Sequence, residues 1–123
     1  LYPAAGFQLI QAGGFYLKDE NAFYGHLTTD VLRSLHVAKS LVFPSAVSLQ
    51  YGIGCYVPEL LEVQRAYMEI ADEVIILADS SKFETTAALK LCNLSSAHHL
   101  VTDTRLPDAV YRRYLERGVH LLR

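Results

Sequence analysis

The sequence is poor in cysteine, and this excludes two classes of protein. Only Cys55 and Cys92 are present among its 123 residues. So few cysteines exclude a disulfide-rich secreted scaffold, and the two lack the close spacing of a structural zinc site. We therefore expect both thiols to be reduced, which is typical of a cytoplasmic protein.

Long apolar runs and an excess of positive charge are missing as well. The longest apolar stretches, such as 74–78, fall far short of the roughly 18 to 20 residues that a membrane-spanning helix needs. Eleven Lys and Arg stand against thirteen Asp and Glu, which gives a formal net charge of −2. Affinity for a phosphate backbone requires clustered cations. We therefore expect no membrane partner and no direct contact of this segment with nucleic acid.

Signals for cofactor, metal and nucleophilic chemistry are also missing. The chain has no glycine loop ending in Gly-Lys-Ser/Thr and no glycine-flanked nucleophilic serine with evident partners. His98 and His99 are adjacent in a predicted strand, so their rings point to opposite sides and cannot chelate one ion. The sequence therefore predicts no cofactor, no metal site and no catalytic residue.

What the sequence does contain is material for one globular core. Hydrophobic residues make up 51% of the chain and charged residues 20%, and the length fits a single domain. Short apolar runs alternate with helical patterns, which predicts an α/β fold with a mostly parallel sheet flanked by helices. Strands are predicted over 7–11, 40–43, 73–78, 98–102 and 119–122, and helices over 29–35, 58–71 and 106–115. The segment 45–57 is predicted to be a loop, and 85–91 a weak helix or an irregular crossover.

A cluster of polar residues, Asp79-Ser80-Ser81-Lys82, follows the predicted strand 73–78. The carboxyl ends of parallel strands open onto the ligand crevice of such sheets. Hydroxyls and backbone amides there can pair with a sugar or a phosphate, and Lys82 supplies a point charge for an anion. An ordinary surface turn, in which Asp79 or Ser80 binds its own backbone, would use the same residues. The sequence leaves both interpretations open.

Two further features are candidates for a ligand site. Gly13-Gly14 follows the first predicted strand and would let backbone approach a ligand closely, although a plain turn also explains it. Gln64 lies on the apolar side of the helix predicted over 58–71, from where its amide could face a pocket.

Several of these motifs together carry a resemblance to a known family. They are the run 68–83, which ends in Ala-Asp-Ser-Ser-Lys-Phe, then Leu-Val-Thr-Asp at 100–103, Gly-Val at 118–119, the Gly-Gly turn and the glycine loop at 48–53. In this order they resemble the effector-binding domain of DeoR-type bacterial transcriptional repressors. The resemblance covers nearly the whole chain.

The resemblance implies a cytoplasmic regulator of carbohydrate catabolism. Its sensor domain would be similar in fold to ribose-5-phosphate isomerase and glucosamine-6-phosphate deaminase. It would bind a phosphorylated sugar or sugar acid, and binding would change the affinity of an N-terminal winged helix-turn-helix domain for operator DNA. We expect that DNA-binding domain, and a first β/α unit with a phosphate loop, to lie outside this chain. Residues 1–123 would then be a single effector-binding domain, incomplete at its N-terminus.

The resemblance also implies which residues line the effector pocket. Carried over position by position, they are Gly13, Gly14, Ser45, Gln64, Asp79, Ser80 and Lys82. The family often has a lysine where this chain has Gln64. A glutamine there fits a ligand with a different pattern of charge or hydroxyls, or a site that has drifted from sugar phosphate.

Two other functions are compatible with the residues. An isomerase or deaminase of the same fold would use Asp79 as acid or base, and it would need a second titratable group across the pocket. An oligomerisation module would use the apolar segment 41–43 and the eight tyrosines. Repressors commonly bind paired half-sites as symmetric oligomers, so we expect a homo-oligomer, a role that is compatible with sensing.

Overall fold

Three α-helices and nine strands organise residues 6–123, the part of the chain that the computed structural model describes. The strands are β1 (Phe15–Leu17), β2 (Ala22–Tyr24), β3 (Val37–Val42), β4 (Ala46–Ser48), β5 (Gly52–Cys55), β6 (Ala71–Leu77), β7 (Leu89–Cys92), β8 (His99–Val101) and β9 (Leu121–Leu122). The helices are α1 (His26–Arg33), α2 (Pro58–Glu69) and α3 (Asp108–Glu116).

A four-stranded parallel sheet lies at the centre of the fold. Its strand order is β3-β6-β8-β9, and all three strand pairs are parallel. The prediction of an α/β fold with a parallel sheet flanked by helices is therefore confirmed. Helices α2 and α3 contact this sheet. Because the four strands are parallel, their carboxyl ends all lie at the same edge of the sheet.

The two faces of the parallel sheet differ in their surroundings. Alternate residues point to opposite faces of a strand. One face is buried in a core that it shares with the side chains of Tyr114 from α3 and Ile53 from β5. The other face leaves Leu41, Phe43 and Leu122 exposed in the described part of the chain.

The segment predicted to be a loop over 45–57 forms an antiparallel hairpin instead. Strands β4 and β5 pair within it, and the Ser48 hydroxyl accepts the N–H groups of Gln50 and Tyr51 in the turn. The segment 85–91 was predicted as a weak helix or crossover, but its second half belongs to β7, which pairs with β5. Strands this short show no alternating pattern, and Gly52, at a φ of +83°, is typical of turns. The hairpin therefore forms by pairing of neighbouring segments, and β7 becomes a strand by pairing with the distant β5.

The first predicted strand, 7–11, is not a strand in the structure. All of its residues are exposed. A strand needs a neighbouring backbone to accept its hydrogen bonds, and an apolar run does not supply one. By contrast, α2 begins at Pro58 as predicted, and Gly118 follows α3 with a φ of +80°. None of the described helices has the length and apolar character that a membrane crossing requires.

Candidate functional site

A pocket opens where the carboxyl ends of β3, β6 and β8 meet. Its volume is about 400 Å³, which is within the range of small-ligand sites. The lining residues are Phe43, Pro44, Leu77, Ala78, Asp79, Lys82, Val101, Thr102 and Asp103. The walls are mainly apolar, and the charged groups come from the segments that follow β6 and β8. This is the edge at which parallel α/β sheets commonly bind ligands.

The turn after β6 places two predicted residues, Asp79 and Lys82, in the pocket lining. The Asp79 carboxylate accepts hydrogen bonds from the backbone N–H of Ser81, at 2.8 Å, and from the Ser81 hydroxyl. These hydrogen bonds lower the pKa of Asp79, so the group is a carboxylate at neutral pH. The turn thus hydrogen-bonds its own backbone and also contributes a carboxylate and an ammonium to the pocket. The turn interpretation is therefore present in the structure through Asp79, and a role of these residues in ligand binding stays a prediction.

Asp103 is a second carboxylate in the pocket, and it was not among the predicted site residues. It accepts a hydrogen bond from the backbone N–H of Ser80 at 3.0 Å and therefore joins the ends of β8 and β6. The Arg105 guanidinium donates to Asp103 at 3.2 Å. Hydrogen bonds from Arg105 and Ser80 hold the pKa of Asp103 well below its usual range. The signal that could have found Asp103 is its position directly after a predicted strand of the same sheet.

Thr102 adds a polar group that has no partner within residues 6–123. Its Oγ1 is buried and makes no hydrogen bond there, although the residue lines the pocket. A buried hydroxyl without a partner is unfavourable by about 1 to 3 kcal/mol. A ligand hydroxyl in the pocket is one group that would relieve this cost.

Ser45 and Gln64 do not line this pocket. The Ser45 hydroxyl accepts the N–H of Tyr56 at 3.1 Å, while the Ser45 N–H donates to the Gly54 carbonyl at 3.0 Å. Ser45 therefore closes the open end of the β4–β5 hairpin. Gln64 is buried on α2 beside Tyr67, and its Oε1 has no partner in the described chain. Burial raises the pKa of Tyr67, and the Gln64 amide opposes that rise.

Gly13 and Gly14 also lie outside the pocket lining; the backbone conformation of Gly13, with a φ of +71°, favours glycine, and close packing explains Gly14. The Gly13 carbonyl accepts a hydrogen bond from the Thr28 hydroxyl of α1 at 2.6 Å. A Cβ at Gly14 would lie only 1.9 Å from the Thr28 Oγ1, and the φ of Gly14 is +125°. The Gly-Gly turn therefore lets this segment pack closely on α1. A role of either glycine in ligand binding stays a prediction.

Comparison with known proteins identifies similar sequences along almost the whole chain. A family model described as "DeoR C terminal sensor domain" matches residues 1–104. An L-fucose operon activator of Haemophilus influenzae is 32% identical over 108 residues, which cover 88% of this chain and 43% of that protein.

Two further relatives are named as repressors. The HTH-type transcriptional repressor GlcR of Bacillus subtilis is 34% identical over 118 residues, covering 95% of this chain and 45% of the relative. A putative aga operon transcriptional repressor of Escherichia coli O157:H7 is 23% identical over 122 residues, covering 99% and 45%. The chain thus spans less than half the length of these curated relatives.

Proposed function

Because the chain belongs to the DeoR C-terminal sensor domain family, we propose that it senses a phosphorylated sugar or sugar acid on behalf of a transcriptional regulator. Binding occurs in the pocket at the carboxyl edge of the parallel sheet. The observation that carries this proposal is the placement of Asp79, Asp103 and Lys82 around one cavity. Carboxylates accept hydrogen bonds from sugar hydroxyls, and the ammonium attracts an anionic group.

The names of the relatives support a link to carbohydrates and the regulatory role. One relative is named for an L-fucose operon, and others are named as transcriptional repressors. In the whole regulator, a helix-turn-helix domain outside this chain binds operator DNA, and the protein acts in the cytoplasm as a homo-oligomer. The ligand shifts an equilibrium between two states, for which a coupling of about 1 to 3 kcal/mol suffices.

An enzymatic function is the second candidate, because Asp103 supplies the second titratable group that an isomerase or deaminase would need. The electrostatics favour sensing. The pKa values of Asp79 and Asp103 are both lowered by hydrogen bonds. A general acid or base works best with a pKa near the operating pH, and these carboxylates have moved further from it. The relatives named above are also regulators.

A titration of the full-length regulator separates the two candidates. Sugar phosphates and sugar acids are added one at a time, while thermal stability, operator binding and turnover are recorded. We expect at least one compound to raise the melting temperature and change operator affinity without being converted. Formation of product would overturn the sensor proposal in favour of the enzyme.

Replacing Lys82 tests where the anion binds. Lys82→Ala should abolish the stabilisation by that compound and leave the melting temperature of the free protein near that of the parent, because the removed ammonium contacts the ligand. Lys39→Ala is the matched control, since Lys39 is an exposed lysine near the opposite end of β3. If Lys82→Ala responds to the ligand as the parent does, the anion binds elsewhere.

A further inference from the structure

The floor of the pocket is a row of apolar side chains that crosses three strands. Val42 pairs with Ile76, so Phe43 continues the register beside Leu77, and Leu77 pairs with Val101. All three floor residues, Phe43, Leu77 and Val101, line the pocket. Neighbouring strands are about 4.8 Å apart, so the row extends over roughly 10 Å. It lies on the face of the sheet opposite the buried core.

Phe43 is the aromatic member of this floor, and it is 64% exposed. The alternation of the strand dictates that exposure, because the preceding residue, Val42, points into the core and is fully buried. Pro44 follows directly, is buried and has a fixed φ, which restricts the backbone beside the ring. An exposed apolar group that belongs to a concave, partly polar site is typical of a ligand groove.

The polar groups of the pocket are confined to the segments that follow the strands. Asp79 and Asp103 are carboxylates, and Lys82 is the cation among the lining residues. Two carboxylates accept hydrogen bonds from hydroxyls and repel an anion placed between them. We therefore expect the hydroxyl-bearing part of a ligand to lie next to the two carboxylates, and its anionic group to point towards Lys82.

A cyclic sugar matches an apolar floor with a polar rim. The C–H groups of the ring form an apolar face, and the hydroxyls are arranged around its edge. An open-chain polyol directs its hydroxyls to all sides and loses more conformational freedom when it binds. We propose that this pocket selects the ring form of its ligand, and that Phe43 is the residue that determines this specificity by packing against the face of the ring. The proposal rests on the sensing function proposed above.

The test compares cyclic and open-chain compounds of the same charge. The probes are glucose 6-phosphate with glucitol 6-phosphate, galactose 6-phosphate with galactitol 6-phosphate, and glucuronate with gluconate. Affinities are measured by calorimetry on the full-length regulator and on its Phe43→Ala, Phe43→Tyr and Phe7→Ala variants. Phe7 is the matched control because it is also an exposed phenylalanine and does not line the pocket.

We expect the parent to bind the cyclic member of its best pair about tenfold more tightly, the size of one aromatic contact. Phe43→Ala should lose this preference, because its affinity for the cyclic member falls more than its affinity for the open-chain member. Phe43→Tyr and Phe7→Ala should behave as the parent does. Equal affinity of the parent for both members, or a preference that persists in Phe43→Ala, would overturn the ring selection alone. Failure of the parent to bind any probe would count against the sensing function, and the ring selection would fail with it.

Discussion

The two faces of the parallel sheet are made by alternate residues of the same strands, yet they have different surroundings. Leu121 and Leu122 are neighbours in β9, and their exposed fractions are 2% and 45%. On the closed face, Leu121 packs in one cluster with Ile76, Leu100 and Tyr114. On the open face, the Glu73 carboxylate contacts the His99 Nε2 at 2.6 Å in the amino-terminal half, and the carboxyl-terminal half carries the pocket floor.

This difference indicates a division of roles within one sheet. The closed face is fully packed, so changes there should act on stability. Both faces are usually buried in a parallel sheet, so the open face of this sheet is unusual. The open face keeps apolar side chains in contact with solvent beside charged groups, so changes there should act on binding. Adjacent residues of one strand can therefore be used to test the comparison.

The largest expected effect is a contrast within β9. Leu121→Ala should lower the free energy of unfolding by about 2 to 5 kcal/mol, because it removes buried methyl groups and leaves a cavity. Leu122→Ala should change it by less than about 1 kcal/mol, because nearly half of that residue is already exposed. Denaturant unfolding of both variants measures the two values. Similar losses in both would mean that the open face is buried in the working protein.

A smaller effect of opposite sign is expected at Ser40 on the closed face. Its hydroxyl is buried and has no hydrogen-bond partner in the described residues. Ser40→Ala removes an unsatisfied polar atom, so the free energy of unfolding should rise by about 1 kcal/mol. Thermal or denaturant unfolding checks the sign. A clear loss of stability would show that the Ser40 hydroxyl has a partner in the working protein.

The smallest effect concerns Asp103, a charged residue of the pocket, and it appears in the pH dependence of the melting temperature. The pKa of Asp103 is lower in the folded protein than in the unfolded chain, where it is about 3.9. The ionised carboxylate therefore stabilises the fold above about pH 4, and this contribution is lost as the pH falls further. Asp103→Asn should have a lower melting temperature than the parent at pH 7, and its melting temperature should fall less steeply below pH 4.

Arg105→Ala should reproduce part of that change, because Arg105 is the main cause of the lowered pKa of Asp103. The measurement is the melting temperature from about pH 2 to pH 7. If the melting temperature of Asp103→Asn falls at low pH as steeply as that of the parent, other carboxylates are the main cause of the fall.

The sequence predicted the features whose causes lie within a few residues. The apolar periodicity and Pro58 predicted α2, and the apolar run 74–78 predicted β6. Because ligands bind at the carboxyl ends of parallel strands, Asp79 and Lys82 were predicted to lie at that edge, and the structure has the pocket there. The resemblance also implied Gly13, Gly14, Ser45, Gln64 and Ser80 for the effector pocket. None of these five lines this cavity in the described structure, and their role in binding stays a prediction. Their positions depend on how distant segments pack.

The sequence by itself thus determined the α/β class, the order of the main elements and the turn that carries Asp79, because hydrophobic periodicity and turn chemistry act locally. Only the tertiary structure decided that β7 pairs with β5, that Asp103 meets Ser80 across two strands, and which face of the sheet stays open. The physical reason is that strand pairing and burial are contacts between residues far apart in the chain. The pattern of a single segment shows that it has two different sides, but its neighbours decide which of them is covered.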